Sequence, residues 1–405
     1  MDSVIGMGSP FPWSPGHTWM EFEFFCLKKV SLEDTRKYIY PVLNSDYAQL
    51  MKSRLAPILE ELNVAIESNP LELAKSYVTA ERLDVSLSNV KFLKRDDVSS
   101  RHYTDCEVNN NIFTQIASHF NIKDSVVTLI ASNQVMHTDY QDYNELYLAN
   151  SNPFVAAHKC NPETDIAKKI LQDGKPLALI NIREHTANAS SGHSIEQFRP
   201  VVSYLNDNGY SVVDMSHESK SEEIRLFCEQ FHVFPYWSLE EKSKFADYDL
   251  LTNADLFIGA GGLAHLGLCF RLPTIWFGGN YPVHLAAEFG FQLPNALHSK
   301  RTGGMLTFQE AFSQVFCHLP ELWENKYDCW QHKYGPGNMH NCNETIQSRF
   351  TLSRTSGVAI LEAAIELLNS ISSNNPPHAS MQTMPFKDLL GRKLTTLGPS
   401  DSWYP

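Results

Sequence analysis

The sequence predicts an α/β chain, and three observations carry that prediction. From Lys175 onward, short apolar runs alternate with helical segments of about ten residues, the pattern of βαβ units whose parallel sheet is covered on both faces. Two of the runs, "DLFIG" and "PTIWF", are separated by a bend that holds Gly259, Gly261, Gly262 and His265. Another, "PLALINI", ends in Arg183, Glu184 and His185 before a polar, glycine-containing loop.

In chain order, residues 32–67 read as largely helical, interrupted at Pro41 and Pro57. "NNIFTQIASHF" (110–120) predicts a helix and "DSVVTLIAS" (124–132) a buried strand, so the first half suggests a second α/β domain. The texture changes between 155 and 175. Then follow a strand at 176–182 and a helix in "SIEQFRPVVSYLNDNGY" that starts or kinks near Pro200. "SVVDM" (211–215) predicts a strand, "SEEIRLFCEQF" (221–231) a helix and "KSKFADYDLLTNA" (242–254) another. Strand "DLFIG", helix "GLAHLGLCFR" and strand "PTIWF" complete the series. Near the end, "SGVAILEAAIELLNSI" puts Val358, Leu361, Ile365 and Leu368 on one helical face. The stretch 372–385 has the composition of a linker. These features divide the chain into 1–165, 166–371 and a tail, 372–405.

Composition narrows the function. The 405 residues carry a formal charge of −13, which disfavours a nucleic-acid binder, whose phosphate contacts need a basic face. Eight scattered cysteines with no C-x-x-C suit a reduced, cytoplasmic protein. Cys329, His332, His340 and Cys342 come nearest to a metal set, but their order matches no common zinc spacing, so no metal site is assigned. No signal peptide and no apolar run long enough to span a bilayer are evident, which suggests a soluble protein or one resting on a membrane surface.

The glycine bend predicts anion binding. In open α/β sheets, ligands gather beyond the carboxyl ends of strands, where helix N-termini offer unsatisfied N–H groups. Glycine lets backbone approach such a ligand closely. An arginine at a neighbouring strand end adds a planar donor fork suited to a diphosphate. The bland alternatives are a tight turn with a surface histidine at 265, and a structural Arg183–carboxylate pair. The segment is neither a dinucleotide fingerprint nor a Walker loop.

"INIREH", "GYSVVDMS" and "FPYWSLEEKSKFADYDLLTNADLFIGAGGLAHLGLCFRLPTIWFGG" together resemble the donor domain of GT-B glycosyltransferases, chiefly bacterial surface-polysaccharide enzymes, and are similar to heptosyltransferases. The resemblance covers about 175–285, and 16–23 is similar to the first glycine loop of an acceptor domain. It implies two Rossmann-type domains facing across a cleft and transfer from a nucleotide sugar to an oligosaccharide or glycolipid, without a cofactor or required metal. Arg183, Glu184, Gly261, Gly262, Leu263 and His265 are then expected at the donor, and His17 or Glu21 as base on the acceptor side. Asp249 either joins the donor's ribose or caps a helix. A cytoplasmic location, at most peripheral to the inner membrane, follows from the same resemblance. Ala260 and Gly261 stand where heptosyltransferases carry an acidic or hydroxyl residue, so that family's donor is not implied. A nucleotide-sugar epimerase of the same fold and a binding module without chemistry are the alternatives.

Overall fold

The computed structural model describes residues 4–5, 15–31, 33–42, 45–80, 161–183, 194–216, 221–259, 263, 266–267, 270–277, 290–293, 296–304, 349–373, 382–387 and 393–398. The chain divides into two compact units, 1–157 with 321–343, and 158–320 with 344–405.

In the first unit, strands β1 (Val4–Ile5), β2 (Tyr38–Pro41) and β3 (Val64–Glu67) form a parallel sheet in the order β1-β2-β3. Helices α1 (Pro15–Ser31), α2 (Ser45–Arg54), α3 (Ala56–Glu61) and α4 (Pro70–Ala80) accompany it. The largely helical reading of 32–67 is thus corrected: "YIYP" and "VAIE" are strands. Each is four residues long and buried at alternate positions or throughout, and such short apolar runs carry no period that separates strand from helix. Phe22 and Phe25 of α1 pack on Tyr40 with ring centroids 5.2 and 5.1 Å apart, so the aromatic residues build the core. The predicted helix at 110–120 and strand at 124–132 lie outside the described residues.

The second unit is built on a six-stranded sheet. Its strands are β4 (Leu177–Ile180), β5 (Ser211–Asp214), β6 (Phe234–Pro235), β7 (Leu256–Gly259), β8 (Thr274–Phe277) and β9 (Gly290–Leu293). All pair in parallel, in the order β6-β5-β4-β7-β8-β9. From β4 the chain winds outward to β6, returns, and winds the other way from β7. That is the doubly wound order, with its topological switch point between β4 and β7. The described helices between strands are α6 (Ile195–Asp207), α7 (Glu222–Gln230) and α8 (Lys244–Asn253), while α5 (Asp165–Leu171) precedes β4. Right-handed crossovers put α6 and α7 on one face and α8 on the other. Strands β4, β7 and β8 are accordingly buried at every position, which is why they read as continuous apolar runs.

Two details depart from the expected elements. Helix α6 runs through Pro200 instead of starting there, opening with a capping box between Ser194 and Gln197. Helix α9 (Gly357–Ser373) buries Ile360, Ala363, Ala364 and Leu367, whereas Val358 is 59% exposed, so its inner face is turned from the predicted one. The reason is close packing on α6. A side chain at Gly357 would come within 2.7 Å of the Glu196 carbonyl, and the two alanines keep that face shallow. The predicted linker also needs correcting, since α9 continues to Ser373 and strand β12 (Gln382–Lys387) pairs antiparallel with β13 (Lys393–Gly398). Between β9 and α9, strands β10 (Ala296–Ser299) and β11 (Phe350–Ser353) form a further antiparallel pair.

Candidate functional site

The carboxyl ends of β4 and β7 meet at the switch point. Ile180 pairs with Ile258, and the ladder continues one step further, Asn181 N donating to the Ile258 carbonyl at 3.1 Å. On the other side, Met215 N donates to the Ile180 carbonyl at 2.8 Å, so the end of β4 is held between β5 and β7. Arg183 follows within three residues of the strand and is partly exposed. Gly259 ends β7, and the chain is helical again at Leu263, Leu266 and Gly267. Arg183 and the end of β7 at Gly259 therefore stand side by side on one edge of the sheet.

The glycine at 259 has a specific cause. A Cβ there would lie 3.0 Å from Asn181 Cβ and 3.3 Å from Asn181 N, because β4 and β7 approach closely as they leave the sheet. Gly259 thus ties the two strand ends together sterically as well as by the ladder.

Beside them lies a polar group that the sequence reading did not single out. Asp214, fully buried at the end of β5, accepts at one carboxylate oxygen from Ile182 N at 3.3 Å and Ser216 N at 3.2 Å. The buried Ser216 hydroxyl lies 2.7 Å from that same oxygen, 2.9 Å from the Ile182 carbonyl and 3.2 Å from the Asn181 side-chain oxygen. In dinucleotide-binding folds of this strand order an acidic residue about 20 positions past the glycine fingerprint meets the ribose. Here the carboxylate at the end of β5 turns into the protein and binds strand ends. The available signal was a polar residue directly after a buried apolar run, "SVVDMS", in parallel with "INIRE" and "IGAGG".

The remaining residues, expected and otherwise, separate clearly. Asp249 is 1% exposed, and its Oδ2 accepts from Glu163 N at 3.0 Å, Thr164 N at 2.8 Å and the Thr164 hydroxyl at 2.7 Å. It holds the entry to α5, whose own N-cap residue makes no side-chain cap, and of its two expected roles this contact fits the helix cap and not the ribose. Asp247 accepts from the buried Tyr236 hydroxyl at 2.7 Å, while burial and this carboxylate push the phenol far above its ordinary pKa. Ser243 caps α8, its hydroxyl oxygen accepting from Ala246 N at 3.1 Å. Leu263 is buried, so any part it plays at an anion falls to its backbone. His17 and Glu21 sit one turn apart near the start of α1, a helix where a glycine loop was expected; their side chains lie outside the described residues. Glu184, Gly261, Gly262 and His265 lie outside them too, as do Cys329, His332, His340 and Cys342. Among the described residues no group of three His, Cys, Asp or Glu side chains is placed to hold a metal ion, and no helix is long and apolar enough to cross a membrane.

Sheet order and corner geometry define a doubly wound α/β domain with Arg183 and Gly259 at the strand ends of its switch point. No family model matches the chain, and no curated protein sequence does either. Among solved structures the chain is similar to a family 9 glycosyltransferase from Veillonella parvula, at 14% identity over 91% of this chain and 98% of that one, with a TM-score of 0.41. It is also similar to the E. coli heptosyltransferase WaaC with ADP, at 16% identity over 79% of this chain and 99% of that one, with a TM-score of 0.40. For the E. coli ADP-heptose heptosyltransferase II the identity is 12% over 69% of this chain and 86% of that one, with a TM-score of 0.36. Likenesses this distant assign no residue and no substrate.

Proposed function

We propose that the protein is a glycosyltransferase that holds a nucleoside-diphosphate sugar at the β4–β7 switch point and passes the sugar to a carbohydrate acceptor. One observation supports the reading: Arg183 and Gly259 stand at adjacent strand ends on the same edge, so a diphosphate bound there would meet both. The guanidinium offers a bidentate fork, and the N–H groups at the start of the helix after Gly259 supply fixed dipoles. Together they stabilise negative charge as it develops on the departing diphosphate. His265 adds a hydrogen bond, and His17 or Glu21 accepts the acceptor's proton if the anomeric configuration inverts. With protein groups neutralising the leaving group, the reaction proceeds without a required metal. The acceptor proposed is an oligosaccharide or glycolipid of a bacterial surface polysaccharide, reached from the cytoplasmic side by a peripheral protein. The sequence resemblance supports glycosyl transfer in particular.

A thermal-shift screen across UDP, GDP, CMP and ADP sugars identifies the donor, because a ligand that binds the native state raises apparent stability by mass action. With that donor, Arg183→Ala is expected to lower turnover by about 10²–10³. Turnover in excess EDTA should persist, and a product appearing only with acceptor separates transfer from epimerisation. Full turnover and tight donor binding in Arg183→Ala would refute the assignment.

A further inference from the structure

The peptide plane that joins Ile182 to Arg183 is gripped from β5. Its carbonyl lies 2.9 Å from the Ser216 hydroxyl, and the amide one residue earlier, Ile182 N, is held by Asp214 at 3.3 Å. Both partners are buried, Asp214 completely and Ser216 to 4% exposure. A buried carboxylate is costly to maintain, and an apolar pair would join two strand ends at least as stably. What the polar group adds is direction: it fixes the backbone of residue 182 and so the angle at which Arg183 leaves the sheet.

We propose that Ser216 and Asp214 are positioning residues for Arg183, presenting its guanidinium at the switch point before a diphosphate arrives. This rests on the reading of the switch point as a diphosphate site. Pre-set geometry matters there because a bidentate fork binds only when its plane is aligned with the phosphate oxygens. Ser216 touches no ligand in this scheme and acts through the Ile182 carbonyl and the Asp214 carboxylate, between which its hydroxyl lies.

A double-mutant cycle tests it. ADP, UDP and GDP are titrated calorimetrically into the full chain and into Arg183→Ala, Ser216→Ala, the double variant and Ser216→Thr, with urea midpoints for each. Ser216→Ala should weaken the best-bound nucleotide roughly tenfold. The double variant should bind no worse than Arg183→Ala alone, since a residue acting through another is silent once that other is gone. Ser216→Thr, which keeps the hydroxyl, should recover most of the loss. Should the threonine not be accommodated, as its urea midpoint would show, Ser216→Cys takes its place with intermediate affinity expected. Losses that multiply in the double variant overturn the positioning role, as does wild-type affinity in Ser216→Ala. Wild-type affinity in Arg183→Ala instead overturns the diphosphate reading itself.

Discussion

Replacing Asp249 separates a structural carboxylate from a ligand-binding one. Its Oδ2 takes three hydrogen bonds from Glu163 and Thr164, the two residues that lead into α5, at 2.7 to 3.0 Å, and the side chain is almost wholly buried. Hydrogen bonds to a charged group contribute about 1.5–3 kcal/mol each. Glu163 is exposed and Thr164 half-buried, so donors released by Asp249→Ala regain water and the bonds do not sum. A loss of about 2–3 kcal/mol is expected for Asp249→Ala. For Asp249→Asn, which keeps an acceptor but removes the charge facing the helix dipole, about 1 kcal/mol is expected. Urea unfolding should show a lower midpoint at unchanged slope, and hydrogen exchange should quicken first at 163–168. Nucleotide affinity, measured by calorimetry, should stay within about twofold of the parent, because the pair acts on α5 and not on the switch point. An unchanged midpoint with a tenfold loss of nucleotide affinity would refute this reasoning and return Asp249 to the ribose.

Three further outcomes follow from the geometry. Gly259→Ala must relieve a 3.0 Å approach to Asn181 Cβ and should lower stability by about 1–3 kcal/mol; an unchanged urea midpoint would mean that the strand ends are not in close contact. Tyr236→Phe leaves the buried Asp247 carboxylate without its 2.7 Å donor, and a loss of about 1–3 kcal/mol in urea unfolding is expected, with none if the carboxylate rehydrates freely. The side chain of Arg36, with help from the Tyr38 hydroxyl, holds the Asp34 carboxyl well below the usual carboxylate range. A depressed folded pKa stabilises above the unfolded value of about 3.9 and loses that contribution as pH falls below it. Asp34→Asn should therefore flatten the acid side of the stability profile, and a parallel profile would count against the pairing.

The parallel sheet was legible because its strands are buried on both faces and recur between helical segments of about ten residues: "LALI", "LFIG" and "TIWF" are unbroken apolar runs, and their alternation with helices marks βαβ units. Strands β2 and β3 of the first unit were not, since each holds only four residues among helices, and "YIYP" even contains the proline that seemed to mark a broken helix. Helix α9 misled for another reason. Hydrophobic periodicity favours the bulky residues Val358, Leu361 and Ile365, but contact with α6 selects small ones, and Ala363 and Ala364 take the inner positions. Asp249 was legible as a cap but not as the cap of a helix more than 80 residues away, a pairing that only the packing of α8 near α5 creates.

The site itself shows the same division between what lies along the chain and what lies across it. Arg183 and Gly259 announce themselves because each is the abrupt end of an apolar run, and the rule that ligands collect at carboxyl edges needs only the direction of the strands. Whether the two corners are neighbours depends on strand order, which the alternation of elements leaves open; the pairing of Ile180 with Ile258 decides it. Asp214 and Ser216 depend on register as well. Ser216 is 34 residues from Ile182 in sequence, and it reaches that carbonyl only because Ile180 faces Asp214 across the ladder. A slip of one residue would turn Asp214 toward the opposite face and release the Ile182 amide. The core packing of β4 and β5, with Ala178, Ile180 and Val212 in one cluster, therefore fixes the polar grip at the strand ends. Core packing and the orientation of Arg183 are in this sense one constraint: substitutions that disturb β4–β5 register should weaken nucleotide binding even when made at the far end of the strands.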